Sequence, residues 1–216
     1  MANVVLFGGE KGGTGKTTLA TNVAVYLAKQ GAEVLVLDTD KQGSASGWAS
    51  MRSQDTTLPK VQCVAKFGDV LDTTRDLASK YSHIIIDAGG RDSRELRSAM
   101  LAASAMLIPI KASQFDLWTM ERMNELVNQS RGFNRDLRAF AVLSMAPTNP
   151  RIGEADEAKK MLTDFEHLAL ANVIIRERKA YRDAVQQGRG VLELENEKAV
   201  EEIEALGKEI YDGVQS

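Results

Sequence analysis

Apolar residues come along this chain in short unbroken runs, separated by longer stretches where they recur every third or fourth position. Residues 4–7, 34–37, 61–64, 83–86, 105–110, 139–145 and 169–175 read as strands, most of them continuous apolar runs. A strand covered on both faces shows a continuous run where a half-exposed one alternates, so this set points to a parallel sheet. Between the runs, residues 17–30, 69–80, 115–129 and 154–165 carry helical spacing, with Leu117, Met120, Met123, Leu126 and Val127 placed to face a core. Ala199, Val200, Ile203, Leu206 and Ile210 form one more stripe near the end. Residues 43–54, rich in Ser and Gly around Trp48, predict a mobile loop leading into a short helix. Strands alternating with helices predict an α/β fold, a mostly parallel and doubly wound sheet in a single domain over residues 1–216.

Composition narrows the classes of function. With 44% hydrophobic and 26% charged residues among 216, the chain suits an ordinary compact domain with one substantial core. Cys63 is the only cysteine, which excludes an internal disulfide and a cysteine-ligated cluster within one subunit. No run approaches a membrane span, and residues 1–3 lead into the first strand without a charged leader, so the expectation is a cytoplasmic protein. The formal net charge of −3 argues against a surface that coats nucleic acid everywhere, while leaving room for a local basic patch.

The chemistry concentrates between the first strand and the first helix, in Glu10-Lys11-Gly12-Gly13-Thr14-Gly15-Lys16-Thr17-Thr18. Strand, glycine-rich loop and helix are the context of a phosphate-binding loop. Glycines turn successive N–H groups inward, the helix N-terminus adds positive charge, and Lys16 brings a cation to the β and γ oxygens. Gly12, Gly13, Thr14, Gly15, Lys16, Thr17 and Thr18 are therefore the candidate nucleotide contacts, with Thr17 placed to ligate Mg²⁺. The common pattern wants glycine five residues before Gly15, where this chain has Glu10.

Two further strand ends carry carboxylates. The run at 34–37 delivers Asp38 and Asp40, followed by Gln42, and the run at 83–86 delivers Asp87, followed by Gly89 and Gly90. An aspartate closing an apolar strand is the pattern that holds a metal-bound water opposite a phosphate loop. Flexible glycines after it allow that loop to sense the γ-phosphate. His83 and His167 lie away from this edge and read as structural or surface residues.

With Lys11 directly before the glycine pair, the loop resembles the deviant Walker motif of the ParA/MinD family of P-loop ATPases, and Asp38-Thr39-Asp40-Lys41-Gln42 and Asp87-Ala88-Gly89 match two more of its motifs. The resemblance covers nearly the whole chain and is nearest to the small single-domain ParA partition and positioning proteins. It implies ATP and Mg²⁺ as cofactors, Asp38 and Asp87 with Thr17 around the metal, and Asp40 on the attacking water. It also implies Lys11 as a catalytic contact to the nucleotide of a partner subunit in an ATP-bound homodimer. Pro109 near the end of its strand matches a common family proline, and Pro147 and Asn149, in a loop that lies near the adenine in the family, are candidate base contacts.

Arg176, Arg178, Lys179, Arg182 and Arg189 gather after the last strand, with Tyr181 among them. They resemble the basic region through which ParA proteins contact DNA, which implies non-specific DNA binding, nucleoid association and a ParB-like or other adaptor that stimulates hydrolysis; a solvated helix face has the same composition. Two alternatives stay open. A MinD-like membrane ATPase would end in a basic amphipathic helix, whereas Glu201, Glu202, Glu204 and Glu209 have the wrong sign, so no membrane partner is expected. A dethiobiotin-synthetase-like enzyme would leave Lys11 without a task.

Overall fold

The structure, a computed structural model, describes residues 2–111, 117–149, 156 and 160–212. Its strands are β1 (Asn3–Phe7), β2 (Val34–Asp38), β3 (Gln62–Ala65), β4 (His83–Asp87), β5 (Ala105–Lys111), β6 (Arg138–Ala146) and β7 (Ala169–Arg176). They form one sheet in the order β3-β2-β4-β1-β5-β6-β7, and every pairing is parallel. The described helices are α1 (Lys16–Lys29), α2 (Ser44–Arg52), α3 (Leu71–Leu77), α4 (Arg94–Ala102), α5 (Leu117–Arg131), α6 (Lys179–Gln186) and α7 (Glu197–Asp212).

The continuous apolar runs are explained by two cores, one on each face of the sheet. Val5, Phe7, Val36 and Ile85 pack with α1, α6 and α7, while their neighbours Val4, Leu6, Leu37, Ile84 and Ile86 pack with α4 and α5. Successive strand residues point to opposite faces, so burial on both sides demands apolar character at every position. The stripe on α7 behaves as its spacing predicts, with Ala199, Ile203, Leu206 and Ile210 buried. Met120, Met123, Leu126 and Val127 do the same for α5. Most of the helix expected over 154–165 lies outside the described residues.

Two elements depart from the sequence reading. Helix α4 had no expectation attached; Ser93 caps it by accepting a hydrogen bond from Leu96 N at 3.1 Å, and Leu96, Ala99 and Met100 are fully buried. The segment 43–54, expected as a mobile loop leading into a short helix, is already helical over Ser44–Arg52, with Trp48 2% exposed. Long-range bonds hold it: the Trp48 indole donates to Arg189 O at 3.0 Å, and Arg52 forks onto Glu193 at 2.7 and 2.8 Å while also donating to Pro59 O and Gly188 O. Propensity is a weak prior that tertiary contacts of this kind override.

Parallel register brings the chemistry to one edge. Phe7 and Asp38 are both level with Asp87, so β1, β2 and β4 end together beside the loop that opens α1. The strand order reverses direction around β1, which places this edge where open α/β sheets bind ligands.

Candidate functional site

Residues 8–15 wrap over the end of β1 and enter α1 through Gly15, whose φ of 95° is a left-handed value that favours glycine. Space also requires glycine there, since a Cβ would lie 2.9 Å from Ser144 Oγ. The Lys16 side chain folds back across the loop and donates to Lys11 O at 2.6 Å. Burial holds its pKa below the ordinary lysine value, opposed by the charges of Asp87 and Asp40. A cation kept dry beside two carboxylates and an arc of backbone N–H groups is suited to anionic oxygens. Lys11 is half-buried, and Gly12 and Gly13 are exposed.

Asp87 ends β4 at 1% exposure. Its Oδ2 accepts from Thr17 Oγ1 at 2.7 Å, whereas its Oδ1 is buried with no hydrogen-bond partner among the described residues. Burial drives its pKa up to about 7, with the Thr17 hydroxyl and Lys16 pulling the other way and Asp38 and Asp40 adding to the rise. An orphaned carboxylate oxygen in a buried position is costly unless something binds it. A hard cation with oxygen ligands is such a group, so Thr17 and Asp87 fit Mg²⁺, directly or through its bound water. The next turn is pressed against the loop: a Cβ on Gly90 would lie 2.8 Å from Gly12 N.

Asp38, which the motif suggests for the surroundings of the metal, is also tied into the fold. It is fully buried, and its two oxygens accept from Asp40 N at 3.1 Å, Ser46 N at 2.8 Å and Ser46 Oγ at 2.7 Å. These donors tie Asp38 to the first turn of α2, and its two oxygens keep acceptor capacity beyond the three of them. Asp40 is half-buried, its Oδ1 accepting from Gln42 N at 3.0 Å. It faces Gly89, where a Cβ would come within 3.3 Å of its Cγ.

Glu10, the departure from the common loop pattern, turns toward α5. Its Oε1 lies 2.9 Å from Arg122 Nε, an ion pair by distance without hydrogen-bond geometry, and Arg122 also reaches Asp92 at 3.6 Å.

A cavity of about 290 Å³ opens beside Gly15 and Thr18, walled by Met145, Ile175, Arg176, Arg178 and Tyr181. Met145 adopts a left-handed φ of 51°, unusual for a residue with a side chain and a sign of local constraint at the end of β6. Pro147 and Asn149, the expected base contacts, do not line this cavity; the Pro147 carbonyl instead accepts from Arg176 Nη1 at 2.7 Å. Sequence spacing pointed to the basic residues of 176–182 for DNA and could not place them or Met145 at a cavity wall, because β7 reaches this place through its pairing with β6.

The basic segment is internally matched. Arg178 donates twice to Glu202 Oε1, at 2.7 and 3.0 Å, and Glu202 Oε2 accepts from Tyr181 Oη and Arg176 N. Lys179 pairs with Asp183 at 3.0 Å, Arg182 with Glu177 at 3.3 Å and Arg189 with Asp55 at 3.0 Å. Lys179 and Arg182 are exposed, while Arg176, Arg178 and Arg189 are partly buried. His83 packs edge-on against Tyr211 at 5.2 Å, at the opposite end of its strand from Asp87. Among the described residues no helix is long and apolar enough to cross a membrane.

Residues 5–191 match the family model described as the CobQ/CobB/MinD/ParA nucleotide binding domain. The maintenance of carboxysome distribution protein A of Halothiobacillus neapolitanus is 29% identical over 205 residues, covering 93% of this chain and 92% of that protein. Among solved structures, a plasmid partition protein from Borrelia burgdorferi bound to AMPPNP superposes with a TM-score of 0.77 at 18% identity, over 99% of both chains. The septum site-determining protein MinD of Pyrococcus horikoshii, complexed with Mg-ADP, gives 0.72 at 17% identity over 100% of this chain and 99% of that one.

Proposed function

Because the chain belongs to the CobQ/CobB/MinD/ParA nucleotide-binding family, we propose that it is an ATP-dependent switch that positions a cellular cargo or segregates DNA. The observation that carries this reading is the pair of half-buried Thr17 and buried Asp87, with the orphaned Oδ1 of Asp87 set beside Lys16 at the mouth of the phosphate loop. Nucleotide-bound relatives of the same fold support ATP and Mg²⁺ as its cofactors.

In this reading the N–H groups of residues 12–18 receive the phosphates, and Lys16 leaves Lys11 O to meet the β and γ oxygens. Thr17 and Asp87, with Asp38 near them, would hold Mg²⁺, which would supply charge neutralisation of the phosphates. Asp40, held toward Gly89, orients the attacking water and accepts its proton. The cavity beside Met145 takes the base. Lys11 reaches the nucleotide of a second copy, so ATP closes a homodimer. Lys179 and Arg182 are the exposed cations left to meet DNA phosphates, and an adaptor protein stimulates hydrolysis.

The test is ATP turnover with Mg²⁺, alongside sedimentation with ATP and with ADP. Wild type hydrolyses ATP slowly and dimerises only with ATP; Lys11→Ala still binds ATP but stays monomeric. An ATP-bound wild type that is monomeric defeats the switch, and a Lys11→Ala protein that dimerises normally reduces Lys11 to an ordinary loop lysine.

A further inference from the structure

The carboxylate assigned to the attacking water is not held by its own side-chain bonds alone. The Asp40 carboxylate is anchored by the Gln42 N–H at 3.0 Å, and the Asp40 backbone N–H donates to Asp38. The Asp38 carboxylate is in turn held by Ser46, which among the described residues supplies two of the three hydrogen bonds that carboxylate accepts, one through the backbone and one through the hydroxyl. A hydroxyl carries one proton, and here the carboxylate takes it. The remaining neighbour of Ser46 Oγ, Cys63 Sγ at 3.9 Å on β3, can then only donate toward it. Burial raises the Cys63 thiol to about 11, so it keeps the proton it donates.

The arrangement also solves a problem of α2. Gly43 has no side chain with which to cap the helix, and the Ser46 N–H would be left over in its first turn. Asp38 accepts it, so the strand end and the helix start are fastened by one residue pair. The loop between them, residues 39–43, carries Asp40 and cannot shift without breaking those bonds.

We propose that Ser46 is a positioning residue for hydrolysis: through Asp38 its hydroxyl sets the backbone at Asp40 and so the aim of the Asp40 carboxylate. This rests on the ATPase reading above. Misplacing a catalytic group by about 1 Å can cost on the order of a hundredfold in rate, while nucleotide binding by the phosphate loop draws on other residues.

The experiment measures kcat, KM and ATP dissociation constants for wild type, Ser46→Ala, Ser46→Thr and Asp38→Asn, with Ser46→Ala also made in the Asp38→Asn background. The expected result is a kcat at least about tenfold lower in Ser46→Ala with ATP affinity retained, recovery in Ser46→Thr, which keeps the hydroxyl, and no further loss when Ser46→Ala is added to Asp38→Asn. Wild-type turnover with an unchanged kcat in Ser46→Ala overturns this inference alone. So does a joint loss of kcat, affinity and melting temperature that Ser46→Thr fails to restore, since that is a packing defect. Absence of ATP hydrolysis by wild type overturns both this inference and the reading beneath it.

Discussion

Two groups of charged residues carry the candidate chemistry of this chain, and they are built on opposite principles. At the ends of β1 and β4, Lys16 and Asp87 are buried, their pKa values are displaced by desolvation, and one carboxylate oxygen has no partner among the described residues. Along residues 176–189, each of five cations has a partner: a carboxylate for four, and the Pro147 carbonyl for Arg176. The first group stores unmet bonding capacity in a dry place, where a ligand gains most from meeting it. The second has largely spent its capacity on the fold. Charge alone therefore ranks sites poorly, and the valences left over after folding rank them better.

The largest effect is expected in the first group. Lys16→Ala removes the cation that lies across the phosphate loop and leaves Asp87 and Asp40 facing each other without it. ATP affinity should fall by at least about a hundredfold, the scale of a charge-assisted bond to phosphate with its repulsion uncovered. Isothermal titration checks this; an affinity within a few fold of wild type would mean that phosphate is bound elsewhere.

The next effect concerns folding rather than ligand. Glu202 accepts from Arg176 N, Tyr181 Oη and two nitrogens of Arg178, tying β7 and α6 to α7. Glu202→Ala strands these donors in a partly buried place and should destabilise the domain by about 2–4 kcal/mol, read as a lower chemical-denaturation midpoint. A loss under about 0.5 kcal/mol would show that the segment is a solvated face and restore all five cations as DNA contacts.

That difference also explains what the sequence disclosed. The strands, the phosphate loop and Asp87 were legible because each is a local pattern, an apolar run followed by a fixed spacing of glycines or a carboxylate. Helix α4 was legible in principle from Ser93 followed by Leu96, Ala99 and Met100 at helical spacing. Helix α2 was legible only as a short helix behind a loop, because Gly47 lowers its propensity and its stability comes from Asp38, Arg189 and Glu193, the latter two far along the chain. The pairing of Arg178 with Glu202, 24 residues apart, was likewise hidden, and with it the distinction between a basic run and a basic surface.

The smallest effect is the one that decides whether the second group does anything beyond folding. Lys179 and Arg182 have side chains 81% and 64% exposed, and their pairs with Asp183 and Glu177 are surface pairs, each worth at most about 1 kcal/mol. Phosphates can displace such carboxylates at little cost, whereas extracting Arg178 from Glu202 means breaking a forked bond at 18% and 11% side-chain exposure. Lys179→Ala with Arg182→Ala should therefore leave stability within about 1 kcal/mol of wild type. If the segment meets DNA, the same change should weaken ATP-dependent binding at every sequence alike and reduce the slope of log affinity against log salt by about one for every phosphate no longer neutralised. Arg178→Ala should instead lower stability more than it lowers the salt slope. A mobility-shift series in salt, run with ATP and with ADP beside denaturation of the same variants, separates the two. An unchanged slope in the double variant would remove residues 176–189 from the DNA surface and leave them as the wall of the cavity beside Met145.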